Sequence, residues 1–197
     1  MLSHKRSLAK GFTLIELLVV MGLMIILLLL GMPALFNFIE RSKLEGIARE
    51  TALMVQAARY NAIKLGKTQS IIRLDLANRQ IVSCQDNDLN GKCDGTDVVL
   101  GSYTLPAGIS FAGPPGDVLP TTGLTPDPGG GSANIAILKA DGSIQDAGGL
   151  RFADRKQNYL EIQIAPQGTA RVEVLKWDGT SAYRLPGENG KAWTWNT

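Results

Sequence analysis

Twenty consecutive residues, Leu17 to Phe36, carry no charged side chain. That is about the length an α-helix needs to cross the hydrocarbon core of a membrane. The leader before them, MLSHKRSLAK, holds Lys5, Arg6 and Lys10, and the junction reads Gly11-Phe12-Thr13-Leu14-Ile15-Glu16. A basic flank ahead of an apolar span predicts that residues 1–11 stay cytoplasmic and the rest is exported. An ordinary secretory signal fits poorly, because the apolar run is too long and no small-x-small cleavage site follows it. An uncleaved signal anchor is the alternative. Glu16 is the anomaly, since a carboxylate at the edge of an apolar span is costly without a partner. Cleavage after Gly11 would create an α-amino group on Phe12, and that charge could pair with Glu16 of the same chain or of a neighbour.

The combination of basic leader, glycine, aromatic residue, glutamate four positions later and long apolar helix resembles the class III signal of type IV prepilins and type II secretion pseudopilins. The resemblance implies that a prepilin peptidase cuts between Gly11 and Phe12 and N-methylates Phe12. It implies that Glu16 docks the subunit beside other pilins or pseudopilins in a helical filament built on an inner-membrane assembly platform. The chain would then lie in the bacterial inner membrane as a single-pass protein, its C-terminal domain in the periplasm.

At 197 residues, one anchored domain with one modest core is expected. The chain has 20 basic and 18 acidic residues, but without Lys5, Arg6 and Lys10 the balance is 17 to 18. The basic character therefore belongs to the leader. Nucleic-acid binding, which depends on clustered Lys and Arg, is not favoured. The two cysteines, Cys84 and Cys93, fall on the exported side, where an oxidising compartment permits a small disulfide-closed loop; two separate thiols are the alternative.

Leu44, Ile47, Thr51, Met54, Ala58, Ala62 and Leu65 recur at spacings of three and four, so the helix should continue beyond the membrane with this stripe facing a globular domain. Arg41, Lys43, Glu45, Arg49, Glu50, Arg59 and Lys64 form the polar side, and Gly66 supplies a stop. Pro33, with Gly22 and Gly31, predicts a helix break or bend in the membrane half. After Gly66, short β-branched runs alternate with turn residues. Expected strands are 70–76, 80–84, 98–103, 109–111, 134–139, 160–164, 170–175 and 181–185, with turns at Ala77-Asn78-Arg79 and Ala140-Asp141-Gly142. The Pro/Gly-rich stretch 112–132 is expected to be a mobile recognition loop or a disordered connection. The fold class is α+β: a long N-terminal helix packed on an antiparallel β domain. Its divisions are a leader at 1–11, an assembly helix at 12–36, an amphipathic helix at 37–66 and a β domain at 67–197. That layout is similar to the GspH/FimT branch of minor pilins and pseudopilins.

The most distinctive motif of the β region runs from Asp86 to Asp97. Asp86, Asp88, Asn90, Asp94 and Asp97 occupy positions 1, 3, 5, 9 and 12 of an EF-hand-like loop, with Gly91 at position 6, and calcium is the candidate ligand. Asp97 replaces the longer glutamate, and the flanks read as strands, so an acidic turn braced by the two cysteines is the competing reading. Gly66-Lys67-Thr68 mimics the end of a phosphate-binding loop, but Asn61 stands where its first glycine is required and the stretch ends a helix. The only histidine is His4, in the leader, so histidine-based catalysis in the mature chain is excluded and no enzymatic activity is expected. Near the C terminus, Trp177, Tyr183, Trp193 and Trp195 interleave with Lys176, Arg184 and Lys191; Trp177 reads as core, and the last two tryptophans as either core or partner contacts. FimT-type minor pilins that bind DNA do so through a Gly-Arg-x-Arg pattern that this tail lacks.

These features lead to a non-enzymatic minor pseudopilin of a type II secretion system, a structural subunit of the pseudopilus. The alternatives are a FimT/FimU-like minor pilin and a membrane-anchored calcium- or ligand-binding module.

Overall fold

The computed structural model describes residues 12–130, 133–180, 182–188 and 192–196, so the leader through Gly11 lies outside the described residues. The chain divides into two compact units, residues 1–39 and 40–197.

In the first unit, helix α1 (Leu14–Leu65, continuing into the second unit) starts at a cap. Thr13 Oγ1 accepts the Glu16 amide at 3.3 Å, and the Thr13 carbonyl accepts the Leu17 amide at 3.2 Å. Threonine followed three residues later by glutamate is the spacing of a capping box, and a carboxylate in the first turn is favoured by the helix dipole. The break expected at Pro33 is absent, because α1 passes through it uninterrupted. A proline removes one hydrogen-bond donor from the ladder, while the turns before and after it keep theirs. Every residue from Phe12 to Phe36 is exposed. This apolar segment is long enough to cross a membrane.

In the second unit the same helix becomes amphipathic. Leu44, Ile47, Ala48, Thr51, Val55, Ala58 and Ala62 are buried, while Met54 is half-buried and Leu65 exposed. Thr51 satisfies its buried hydroxyl by donating to the Ile47 carbonyl at 2.8 Å. Gly66 ends the helix in a left-handed conformation, φ 66°, its amide on the Ala62 carbonyl. That geometry disposes of the phosphate-loop likeness.

Among the described residues ten strands follow: β1 (Gln69–Asp75), β2 (Gln80–Asp86), β3 (Val98–Thr104), β4 (Ile109–Ser110), β5 (Thr121–Thr122), β6 (Ala136–Leu138), β7 (Gly148–Asp154), β8 (Tyr159–Ile164), β9 (Val172–Trp177) and β10 (Tyr183–Arg184). All pairings are antiparallel. One sheet has the order β3-β2-β1-β6; the other runs β10-β9-β8-β7-β4, with β5 also on β7. The main core joins Leu44, Ile47 and Val55 of the helix to Ile72, Leu74 and Ile81 of the first sheet and to Leu150, Phe152, Leu160 and Ile162 of the second. Alternation along β1 sends Ile71 to the opposite face, where Cys84, Ile135 and Ile137 form a separate small core.

Two sequence expectations need correction. The stretch 112–130 is built into the domain: β5 pairs with β7, Leu124 is buried, and the Ile135 amide donates to the Thr125 carbonyl at 2.8 Å. Buried Arg151 holds it as well, donating to Asp117 Oδ2 at 2.7 Å. The strand expectation also omitted β7, which is central to its sheet. Gly148, Gly149, Arg151 and Asp154 make that segment read as a loop, yet each answers a local demand. A Cβ on Gly149 would lie 2.6 Å from Glu161, and Arg151 and Glu161, both buried, pair at 2.7 Å across β7 and β8.

Candidate functional sites in the apolar helix and the acidic loop

Phe12 is 82% exposed, one residue ahead of the cap. Glu16 sits one turn into α1 with its amide on Thr13, so its place on the helix surface is fixed from the first turn. The contribution of Thr13 was missed by the sequence reading, although the Thr-x-x-Glu spacing announces it. Gly11 lies outside the described residues.

The acidic loop joins β2 to β3 and is closed at its base by a Cys84–Cys93 disulfide, with the two Cα atoms 6.0 Å apart. Cys84 belongs to the small core with Ile71, Ile135 and Ile137, and Cys93 packs against it. Asp86, Asp88 and Asp97 each bring a carboxylate oxygen within 4.8 Å of the others. Gly91 takes φ 76°, the left-handed turn expected at the sixth position, and its amide donates to Asp86 Oδ2 at 2.8 Å. Asp86 is fully buried and also accepts from Gln69 Nε2 at 2.7 Å and from the Asn90 amide at 3.3 Å.

Asn90 and Asp94 bond to each other through Asn90 Nδ2 and Asp94 Oδ2 at 3.2 Å, and each also accepts from the loop's own backbone. Asn90 Oδ1 accepts the Lys92 amide at 2.7 Å, and Asp94 Oδ1 accepts the Thr96 amide at 2.9 Å and hydroxyl at 2.7 Å. Asp97 accepts the Asn87 and Asp94 amides, each at 3.0 Å. Of the four candidate carboxylates, Asp86, Asp88 and Asp97 thus converge and Asp94 stands outside the group. Loss of hydration, followed by Asp86 and Asp94, holds the Asp88 carboxyl above its ordinary range, against the Asn90 amide. Asp94 is held below that range by its bonds to Thr96 and Asn90.

The C-terminal aromatics fold back on their own domain. Trp193 and Trp195 are half-buried, pack against the main core and meet edge to face at 6.2 Å. Trp193 Nε1 donates to the Arg184 carbonyl at 3.1 Å, and the Trp195 ring is faced by Arg41 at 4.7 Å and Lys176 at 5.0 Å. Arg41, read from sequence as a solvent-facing residue, is therefore also a packing residue. Trp177 is half-buried and meets Tyr183 edge to face at 5.3 Å.

Residues 6–32 match the family described as the prokaryotic N-terminal methylation motif. No curated protein matches the chain. Among solved structures, the minor pseudopilin EpsH from the type 2 secretion system of Vibrio cholerae is similar at 13% identity and a TM-score of 0.45, over 67% of this chain and 95% of that one. The N terminus thus carries a prokaryotic methylation motif, whose residues 6–32 take in the end of the leader and much of the apolar segment.

Proposed function

We propose that this chain is a non-enzymatic filament subunit, a minor pseudopilin of a type II secretion system. It would be cut between Gly11 and Phe12 by a prepilin peptidase, methylated on Phe12, and carried with its β domain in the periplasm. The observation that supports this reading best is the joint one at the N terminus. A methylation motif leads into an apolar helix whose residues 12–36 are all exposed, with one carboxylate, Glu16, at its start. In lipid that surface is solvated by acyl chains, and in a filament by the helices of neighbouring pilins or pseudopilins. A Glu16 paired with the α-amino group of a neighbour's Phe12 would lose its charge penalty only in register, which makes it a docking group. The inner-membrane assembly platform is the remaining partner.

The secretion reading is preferred to DNA uptake because the tail lacks an arginine-rich pattern and packs its tryptophans on its own core. Intact-mass analysis of chain recovered from membranes with an active prepilin peptidase should find a terminus at N-methylated Phe12. Retention of Met1 would overturn the reading. Glu16→Ala should be processed normally and fail to enter filaments.

The convergence of Asp86, Asp88 and Asp97 favours a second role, calcium binding at the loop, with the protein supplying part of a shell of six to eight oxygens. Isothermal titration with millimolar calcium tests it, and an absence of heat would remove it.

A further inference from the structure

Near the start of the second unit, the C-terminal tail ties three elements together. Trp195 is the hub, its ring faced by Arg41 of α1 at 4.7 Å and by Lys176 of β9 at 5.0 Å. The next residue, Asn196, binds the turn between β7 and β8: its amide donates to Asn158 Oδ1 at 2.8 Å, and its Nδ2 donates to the Lys156 carbonyl at 3.0 Å. Arg41 stands five residues along the chain from Phe36, where the uncharged run ends. Chain connectivity alone keeps it within about 18 Å of that run, and a headgroup layer takes up roughly 5–8 Å of the distance.

The charges around Trp195 are sorted by sign. Arg41 and Arg155 are exposed, whereas Glu40 and Glu45 are half-buried and Asp154 is buried. Asp154 Oδ1 accepts the amides of Lys156 and Asn158 at 2.8 and 2.9 Å, and Asp178 accepts Arg184 Nε at 3.0 Å. Glu45 accepts from Arg41 Nε at 2.9 Å, one of the several N–H donors of a guanidinium. The cations thus face outward and the carboxylates are engaged within the domain. Half-buried tryptophan beside exposed arginine, a few residues from an apolar span, is the composition of a membrane interface.

We propose that this end of the β domain seats against the phospholipid headgroup layer of the membrane that residues 17–36 cross, with the Trp195 ring at headgroup depth and Arg41 and Arg155 on phosphate oxygens. An indole has an apolar body and one polar edge, which favours that depth, and arginine meets a phosphate with paired N–H donors. The tail then fastens the domain to the membrane surface at a second point besides the span. The proposal rests on reading residues 17–36 as that span.

The test uses the full chain in phosphatidylcholine vesicles brominated either near the headgroup or near the acyl-chain ends, with the chain's own three tryptophans as reporters. Bromine quenches an indole on contact. Headgroup-proximal bromine should lower the emission by roughly a fifth to a third, about what one ring in three can lose at the interface. Chain-end bromine should leave it unchanged. Trp195→Phe should abolish the loss. Trp177→Phe combined with Trp193→Phe leaves Trp195 as the reporter and should raise the fractional loss by about twofold or more, which decides the matter should Trp195→Phe misfold. Arg41→Gln combined with Arg155→Gln should about halve the loss, with unchanged circular dichroism. A chain that floats with the vesicles yet shows unaltered emission would overturn this proposal alone, as would equal quenching at both depths. Failure to float with the vesicles would overturn the span reading and the proposal with it.

Discussion

Helix α1 is one element with two surfaces. From Leu14 to Phe36 every residue is exposed, whereas between Leu44 and Ala62 seven side chains are buried in a β-domain core. Composition explains the difference. The first stretch is apolar all round and suits a lipid or protein surround on every side. The second keeps apolar residues at three- and four-residue spacing and sets charged side chains such as Arg49 and Glu50 among its exposed positions. Helix propensity is therefore not what distinguishes the halves; the solvent each one was written for is.

The sharpest way to break this comparison is to put the same charge into both halves. Ile47→Asp buries a carboxylate in the core and should cost about 5 kcal/mol or more, enough to unfold a typical domain. Leu27→Asp should leave the thermal unfolding of the β domain unchanged and instead reduce recovery in the membrane fraction. Equal loss of domain stability in both variants would end the distinction.

Next in size, Cys93→Ser should lower stability by about 2–3 kcal/mol, since the bond closes a short loop. Denaturant titration of the full chain in micelles, with and without reductant, measures it. Thr13→Ala should cost the start of α1 about 1 kcal/mol and speed amide exchange at Glu16 and Leu17 without touching the β domain.

Lys176 gives a pH-dependent signature confined to the second unit. Burial holds its ammonium below the ordinary lysine range, and Arg41 adds to this, while Asp154 and Asp178 oppose it. The folded chain thus binds this proton more weakly than the unfolded one, and stability should climb as pH rises through the window just below the ordinary lysine value. Lys176→Met should remove that climb, and an identical pH profile would refute the assignment. Smallest of all, Glu45→Gln should cost no more than about 0.5 kcal/mol, because its pair with Arg41 at 2.9 Å is on the surface.

The helix was legible in the sequence because its signals are redundant: the apolar run, the stripe from Leu44 to Ala62, and Gly66 at its end. Most strands were legible to within about two residues from β-branched runs such as Ile71-Ile72 and Val98-Val99. The central strand β7 was not, because its residues serve tertiary needs rather than local propensity. Gly149 makes room for Glu161, and Arg151 is buried by virtue of a partner ten residues away. The stretch 112–130 was obscure for the same reason, its order coming from β7 and Arg151. At the acidic loop, spacing identified Gly91 and the three converging carboxylates. It could not tell that Asp94 would stand outside that cluster.

The disulfide has a consequence for biosynthesis. It anchors the acidic loop to the small core on the outer face of the β1–β2 pair, with Cys84 fully buried. While the thiols remain reduced, that face lacks its fastening, although β1 and β2 can already pair through a short local turn. Full fastening of the domain thereby depends on oxidation of the two thiols, since the reduced chain would leave Ile71, Ile135 and Ile137 beneath an untied loop.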